Sequence, residues 1–571
     1  MIVGIDLGTS TSEIAILQGD KPYVIENPTG GRITPSAVYI DNTGEVVVGD
    51  RARELNVLEP ENSCIEIKRL MGYDKKVNIR GESYTPENIS AFILKHLIEY
   101  AQAFTGETID RVVVTVPAYF NETQRRATLE AGKLAGLKVE RLINEPTAAA
   151  LAYGIEHMEE NNHILVYDLG GGTLDVTVLE MFDGVLEVKA SSGNNQLGGK
   201  DFDQLIVNRL ISRFMEDTGV NLQNDVTSMA KLKHEAELCK MALSHTEAYE
   251  IILPFIAEKK GSPLTLRYTV TRNEFEKEIE PLIQSTAECL EVALKDAGLT
   301  TSEIDFILLV GGSTRIPYVR NFLKKYFGQE PTSLLDPDLS VVMGAAVQAG
   351  ILDNVLSKET DILITDVCPY TLGIKCITNI GGFEIPDYFS VIINRNLTIP
   401  VTKTKRYYTA SDEQTAVEIC IYQGNHKHAK MNHCLGTFTI TGIPPANAGK
   451  ESIDVAFTYD VNGLLSVEAR ISSTGKKAEM TIDTAGSTME QEVDVENWKD
   501  KKAARPYRAL IRRAERLIDN LPDGPEKFQL EVLVFDLKTA LVKEKEDSIL
   551  KQKEEDLMEL LELVEETRDE H

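Results

Sequence analysis

The feature that most constrains this chain is a motif that occurs twice. Val3-Gly4-Ile5-Asp6-Leu7-Gly8-Thr9-Ser10 returns in altered form as Leu165-Val166-Tyr167-Asp168-Leu169-Gly170-Gly171-Gly172-Thr173-Leu174-Asp175. Each copy is an apolar strand ended by Asp-Leu-Gly, then a turn of small residues, then the start of a second strand. Glycine lets backbone N–H groups come closer to a ligand than any Cβ would allow, and successive N–H groups in a turn form a concavity for anionic oxygens. Gly8, Gly170, Gly171 and Gly172 supply such backbone, and Thr9, Ser10 and Thr173 add hydroxyl donors. Asp6, Asp168 and Asp175 suit Mg²⁺, which takes few carboxylates and keeps much of its water. One such turn alone reads as an ordinary hairpin. Two of them, about 160 residues apart, point to a triphosphate clamped from both sides.

A third apolar strand ends in a glycine pair at Leu308-Leu309-Val310-Gly311-Gly312-Ser313-Thr314-Arg315-Ile316-Pro317. Backbone at Gly311 and Gly312 can pass beneath a flat ring, with Arg315 stacked on it and Ser313 bonding its edge. Seen by itself, the segment is equally a strand–turn–helix junction. The usual P-loop is absent. Gly193-Asn194-Asn195-Gln196-Leu197-Gly198-Gly199-Lys200-Asp201 comes near it, but its Lys is displaced and no Ser or Thr follows. It reads as a turn in which Gly198 and Gly199 sit beside the phosphates.

Texture divides the rest. Residues 1–355 alternate Val/Ile-rich strands such as Arg111–Val116 with amphipathic helices, the pattern of an α/β layer fold. One helix opens at Thr85-Pro86, with Ile89, Phe92, Ile93, Leu97 and Tyr100 along one face; another starts with a capping box at Asn121 and Gln124. Residues 367–488 change to period-two strands, with Val417, Ile419 and Ile421 facing one way, and Asn462-Gly463 predicts a tight hairpin with both central residues at positive φ. Residues 489–571 are helix formers broken by Pro506 and Pro522-Asp523-Gly524-Pro525; Leu557, Leu560, Leu561 and Val564 read as a helix packing on its neighbours. Between the first two regions, 356–366 contains Asp361-Ile362-Leu363-Ile364-Thr365-Asp366, too apolar for a passive linker and expected to dock.

A net charge of −29 repels phosphate backbones and argues against a general nucleic-acid binder, though not against a mononucleotide arriving with Mg²⁺. No apolar run reaches the length of a membrane span and no secretory leader precedes the first strand, so a cytoplasmic location is expected. The seven cysteines contain no C-x-x-C pair and read as reduced thiols.

The two Asp-Leu-Gly hairpins and the Val-Gly-Gly-Ser-x-Arg strand resemble the phosphate and adenosine motifs of the actin–hexokinase–heat-shock ATPase superfamily. Asn144-Glu145-Pro146-Thr147-Ala148-Ala149-Ala150, Asp168 to Asp175, Asp366-Val367-Cys368-Pro369-Tyr370-Thr371-Leu372-Gly373 and Asn394-Arg395-Asn396-Leu397-Thr398-Ile399-Pro400 narrow the resemblance to the seventy-kilodalton heat-shock, or DnaK-type, chaperones. It covers nearly all of the chain to about residue 485. The resemblance implies an α/β actin-like two-lobed ATPase domain, an antiparallel β-sandwich peptide-binding domain and a short α-helical lid, using ATP or ADP with Mg²⁺ and K⁺. Asp6 and Asp168 would position hydrated Mg²⁺, and Lys68 would reach the γ-phosphate and the attacking water. Glu145, Asp168 and Asp175 would surround that water with Thr173 nearby. Glu237, Lys240, Ser244 and Asp338 would join Arg315 around adenosine. Pro117 and Arg125 would relay the nucleotide state to a linker represented by Leu363 and Asp366, and Arg141 and Asn144 would meet a J-domain co-chaperone. Ile374, Ile377, Tyr407, Ala410, Val417 and Ile419 would line a cleft for unfolded polypeptide; by pattern alone they are plain sandwich core.

Three departures stand out. The linker is Ile362-Leu363-Ile364-Thr365 rather than nearly all Leu, Cys368-Pro369-Tyr370 replaces the usual Thr-Pro-Leu, and the helical end is shorter, without a disordered tail. These resemble the HscC-like bacterial branch. Rival readings are an actin-like filament subunit, which has no use for residues 366–571; a small-molecule kinase, which needs an acceptor-binding acid; and a nucleotide-regulated binding module that hardly hydrolyses, against which Lys68, Glu145, Asp168 and Thr173 count.

Overall fold

A computed structural model describes the chain except residues 156, 158–159, 183, 333–335, 356–362, 381–382, 482–497, 500, 523, 544 and 570–571. Most of the expected linker and the start of the helical region therefore lie outside the described residues. The chain divides into two units: Met1–Pro369 together with Asn396–Pro400 and Asp460–Leu464, and Tyr370–Arg395, Val401–Tyr459 and Leu465–His571.

The first unit is built on two six-stranded sheets. One runs Lys138–Asn144, Arg111–Val116, Ile2–Leu7, Thr11–Gln18, Lys21–Val24, with Thr34–Pro35 on Thr11–Gln18; the other runs Phe306–Val310, Asn162–Leu169, Leu174–Phe182, Val185–Asn194, Leu363–Val367, Thr398–Ile399. Each copy of the repeated motif is an antiparallel hairpin whose first strand also pairs in parallel with a third strand. The helices Glu145–Gly154 and Ser340–Leu352 share a buried core with residues of both sheets, including Val113, Ile143, Ile164 and Val166. Ala148 and Ala345 are fully buried, and a Cβ on Gly344 would collide with the Ala148 carbonyl, so the crossing is backbone on backbone.

Outside this middle layer, each half has its own core. Helix Pro86–Thr105 buries Ile89, Ile93, Leu97 and Tyr100 on the expected face. The Thr85 hydroxyl accepts from Asn88 N, and at the next helix Asn121 and Gln124 cap each other's backbone N–H at 3.0 and 3.1 Å. In the second half, helices Gly199–Thr218, Val226–Leu243 and Arg272–Ala297 cover the sheet around Phe202, Phe275 and Tyr167. Leu363–Val367 joins that sheet in parallel beside Val185–Asn194, Leu363 opposite Val185.

The second unit holds two four-stranded antiparallel sheets, Phe383–Ile393, Leu372–Ile380, Ala416–Gln423, His433–Thr441 and Val401–Tyr408, Ser452–Tyr459, Leu465–Ile471, Lys477–Thr481. Alternation is clean: Ile453, Val455, Phe457 and Tyr459 are buried while the residues between them are half-exposed. Three helices follow, Arg508–Asn520, Pro525–Val542 and Asp547–Asp569. Leu557, Leu561 and Val564 are buried with Trp498, Ile511, Leu530 and Leu537, and Leu560 packs at their edge, as the leucine pattern predicts. His428 Nε2 lies 2.6 Å from the Phe528 carbonyl oxygen, and Tyr388 stacks near the Phe528 ring.

The expected tight turn at Asn462-Gly463 is corrected. The hairpin closes at Tyr459 opposite Leu465, but through the five-residue loop Asp460–Leu464, in which Gly463 has φ of 72° and Asn462 stays at negative φ. The Asp460 carboxylate accepts from the Asn462 and Leu464 N–H groups, both at 2.9 Å, and this Asx-type turn replaces the two-residue one.

Candidate functional site

The two Asp-Leu-Gly turns come together tip to tip. A Cβ on Gly171 would collide with Ser10 Oγ, and one on Gly172 would lie 3.2 Å from Thr9 Cγ2. They wall a cavity of about 350 Å³ whose lining also includes Asp6, Gly8, Lys68, Glu145, Asp168, Gly170 and Thr173. The far wall of the same cavity carries Glu237, Lys240, Ser244, Gly311, Gly312, Ser313, Arg315 and Asp338. Gly172, Asp175, Gly198 and Gly199 lie just behind the lining. A Cβ on Gly198 would strike the Gly172 backbone, and Gly199 passes so close to Ser313 and Lys240 that only glycine fits.

Local folding explains the catalytic end. Glu145 is the first residue of helix Glu145–Gly154, where the N-terminal N–H groups favour a negative charge. Lys68, in the short 3-10 turn Ile67–Leu70, reaches it with Nζ 2.5 Å from Oε1, and both side chains are buried. Burial works against the lysine charge, but Glu145 and Asp6 outweigh it and hold the ammonium above its ordinary value. Asp6 accepts from the Thr115 hydroxyl at 2.6 Å and Asp175 from Tyr119 N at 3.0 Å. Burial, then Glu145, pushes Asp6 up to about 6 and Asp175 to about 7; the same two causes raise Asp168 well above the carboxylate range. Asp168 Oδ2 and Asp175 Oδ2 have no hydrogen-bond partner. Buried carboxylate oxygens left unsatisfied beside glycine-rich backbone donors fit Mg²⁺ carried by a nucleotide phosphate.

At the opposite end, two carboxylates hold the Arg315 guanidinium: Asp338 Oδ2 accepts from Nε at 2.9 Å and from Nη2 at 2.7 Å, and Asp336 takes Nη2 as well. Gly311 has φ of 81°, and a Cβ there would strike the Leu169 carbonyl. Glu237, Lys240 and Ser244 share one side of helix Val226–Leu243 and its cap. Lys240 bonds Gly199 O at 3.1 Å and Asp203 at 2.8 Å; burial is outweighed by Lys200 and Arg53 in holding Glu237 down to about 2.

A buried polar chain leads away from the carboxylates. Arg125 donates to Phe120 O, Ala118 O and Asn144 Oδ1, in the loop that begins at Pro117. Asn144 Nδ2 donates to Asp366 Oδ2 at 2.8 Å, and the Thr147 hydroxyl reaches the same oxygen. Burial pushes Asp366 up, against the Val367 N–H, Arg125 and Arg141. Arg125 also donates to Asn462 O, and Asn462 Oδ1 accepts from Leu142 N at 3.0 Å. Leu363 is 60% exposed at the start of its strand.

Of the expected peptide-contact residues, Ile374 and Ile419 are buried on adjacent strands, with Val417 half-buried on the same side. Tyr407 reaches across to Ser390 with a 2.9 Å hydrogen bond. Ile377 is 51% exposed, and Ala410 is exposed in the loop after Val401–Tyr408.

Two groups of site residues escaped the sequence reading. Arg53–Glu237 and Arg69–Asp201, both at 2.7 Å, and Lys200–Glu66 at 3.6 Å tie the first half to the second across the cleft. Their partners are up to 184 residues apart, and no local pattern marks them. Glu13 also lines the cavity. A signal for it was present: it follows Asp6 by the interval that separates Asp175 from Asp168.

Two α/β halves closing over a cavity of glycine turns, acids and one buried lysine define a nucleotide-binding protein of the phosphoryl-transfer class. A family model described as Hsp70 protein matches residues 2–78 and 73–571. The chain belongs to the Hsp70 family, whose members are ATP-dependent chaperones and ATPases that bind ATP or ADP with Mg²⁺. Among the described residues no helix is long and apolar enough to cross a membrane.

Proposed function

We propose that this chain is an ATP-hydrolysing chaperone whose grip on extended apolar segments of unfolded polypeptides is set by its nucleotide state. The observation that carries the reading is the buried Lys68–Glu145 pair, set in a cavity walled by both Asp-Leu-Gly turns. Asp6, Asp168 and Asp175 would hold hydrated Mg²⁺, which supplies charge neutralisation to the phosphates. Lys68 places a point charge at the γ-phosphate end, and Glu145 with Thr173 orients a water for in-line attack. Phosphoryl transfer asks for positioning and charge more than covalent chemistry, which suits this set. Arg315, held by Asp336 and Asp338, is the shelf for adenine, with Glu237, Lys240 and Ser244 on its other side.

The nucleotide state would pass from Asp175 and Tyr119 through the Pro117 loop, Arg125 and Asn144 to Asp366. Residues 1–355 then act as the ATPase, 356–366 as the linker, 367–488 as the peptide-binding domain and 489–571 as its lid. The peptide cleft is assigned to Ile374, Ile377, Tyr407, Ala410, Val417 and Ile419, where apolar pockets beside strand backbone suit an extended chain. A J-domain co-chaperone is assigned to Arg141 and Asn144. The Cys368-Pro369-Tyr370 departure favours the HscC-like branch, and the protein is placed in the cytoplasm and in stress-related folding.

Steady-state ATP turnover with and without an extended apolar peptide tests the reading. We expect slow turnover that rises with peptide and falls on the order of 100-fold in Lys68→Ala. Turnover indifferent to peptide would remove the coupling; an active Lys68→Ala would remove the catalytic assignment.

A further inference from the structure

In the second hairpin Asp168 stands directly across from Asp175; in the first, Asp6 stands directly across from Glu13. Residues directly opposite on antiparallel strands project to the same face, with Cβ atoms about 5 Å apart. Asp6 and Glu13 accordingly both line the cavity. Glu13 is 1% exposed, yet its Oε1 has no hydrogen-bond partner. Like charges facing each other across a strand pair are destabilising unless something is shared between them. Lys68 is the cation that bears on Asp6, Glu13, Asp168 and Asp175 alike, and its Nζ is already committed to Glu145. A triphosphate brings still more negative charge to the same place.

We propose that Asp6 and Glu13 hold a second divalent cation against the nucleotide phosphates, the counterpart in the first half of the one at Asp168 and Asp175. The inference rests on the nucleotide reading above. Two carboxylates leave most of a divalent cation's shell to phosphate oxygens and water, so the second cation binds only with nucleotide. Burial and the neighbouring Asp6 already oppose ionisation of Glu13, and a cation between the two would relieve both terms.

The experiment uses the full chain, Mn²⁺ and a non-hydrolysable ATP analogue at equilibrium dialysis. Free Mn²⁺ is read by electron paramagnetic resonance, and analogue and Mn²⁺ are counted in the same samples. Two Mn²⁺ per bound nucleotide are expected for the wild type and one for Glu13→Gln. Glu13→Asp, which keeps the charge but shortens the arm, should weaken the second Mn²⁺ at least about 10-fold. One Mn²⁺ per nucleotide in the wild type overturns the inference and leaves the nucleotide site intact; this count needs no variant to fold. Two in Glu13→Gln place the extra ion elsewhere and also overturn it. A wild type that binds no analogue defeats the nucleotide reading itself.

Discussion

Lys68 and Glu145 are oppositely charged and buried together, and that makes each a liability without the other. Truncating one partner of such a pair leaves an uncompensated buried charge and costs about 3 kcal/mol or more. Lys68→Ala should therefore lower stability as well as turnover, and Lys68→Ala/Glu145→Gln should recover part of the stability but none of the turnover. Urea unfolding of the two variants reads this, and equal midpoints would dismiss the pair as a stability element. Legibility at this scale was uneven. The turn residues announce themselves, because few residue types fit where backbone meets phosphate. Ile67-Lys68-Arg69-Leu70 by itself looks like a surface turn, and only the resemblance singled Lys68 out. Glu13 was passed over because the apolar run around it reads simply as a strand, whereas its partner across the sheet becomes visible only once the register is known.

Helix caps are local, and so they were readable. The Thr85 hydroxyl takes one of the free N–H groups of helix Pro86–Thr105, and Thr85→Ala should cost about 1 kcal/mol in thermal or urea unfolding. The Asp460–Leu464 loop was not readable in the same way, since its shape depends on the Asp460 carboxylate and on Leu142, far away in sequence. The same holds for Leu363–Val367: its composition said that it docks, but the strand that receives it lies some 180 residues earlier. His428 offers a pH test where the sheets of the second unit meet the helices. Burial pushes its imidazole down to about 4 from 6.5, against the pull of the Phe528 carbonyl. Between those values the unfolded chain holds more protons than the folded one. The contact's stability is thus complete above pH 6.5 and is lost as pH falls toward 4. Melting temperature should drop across that interval, and His428→Gln should flatten the slope; an unchanged slope in the variant would assign the acid sensitivity elsewhere.

At the scale of the molecule, Asp366 is where the buried chain from the carboxylates ends, accepting from both Asn144 and Thr147. Under the proposed coupling, Asp366→Ala should keep nucleotide binding but lose the rise of ATP turnover with peptide, by several-fold in the ratio of stimulated to basal rate. Stimulation that survives the change would mean that the signal travels by another route. One further consequence belongs to synthesis. The ATP-binding unit takes in Asn396–Pro400 and Asp460–Leu464, and Asn396 and Asn462 supply bonds to Ser191 N and Leu142 N. About 95 residues separate Pro369 from the last of these segments. At roughly 5–20 residues per second, a ribosome needs some 5–20 s to deliver them. For that interval the nascent ATPase is an unfinished enzyme, and a chain that helps others to fold waits on its own later half to complete its first.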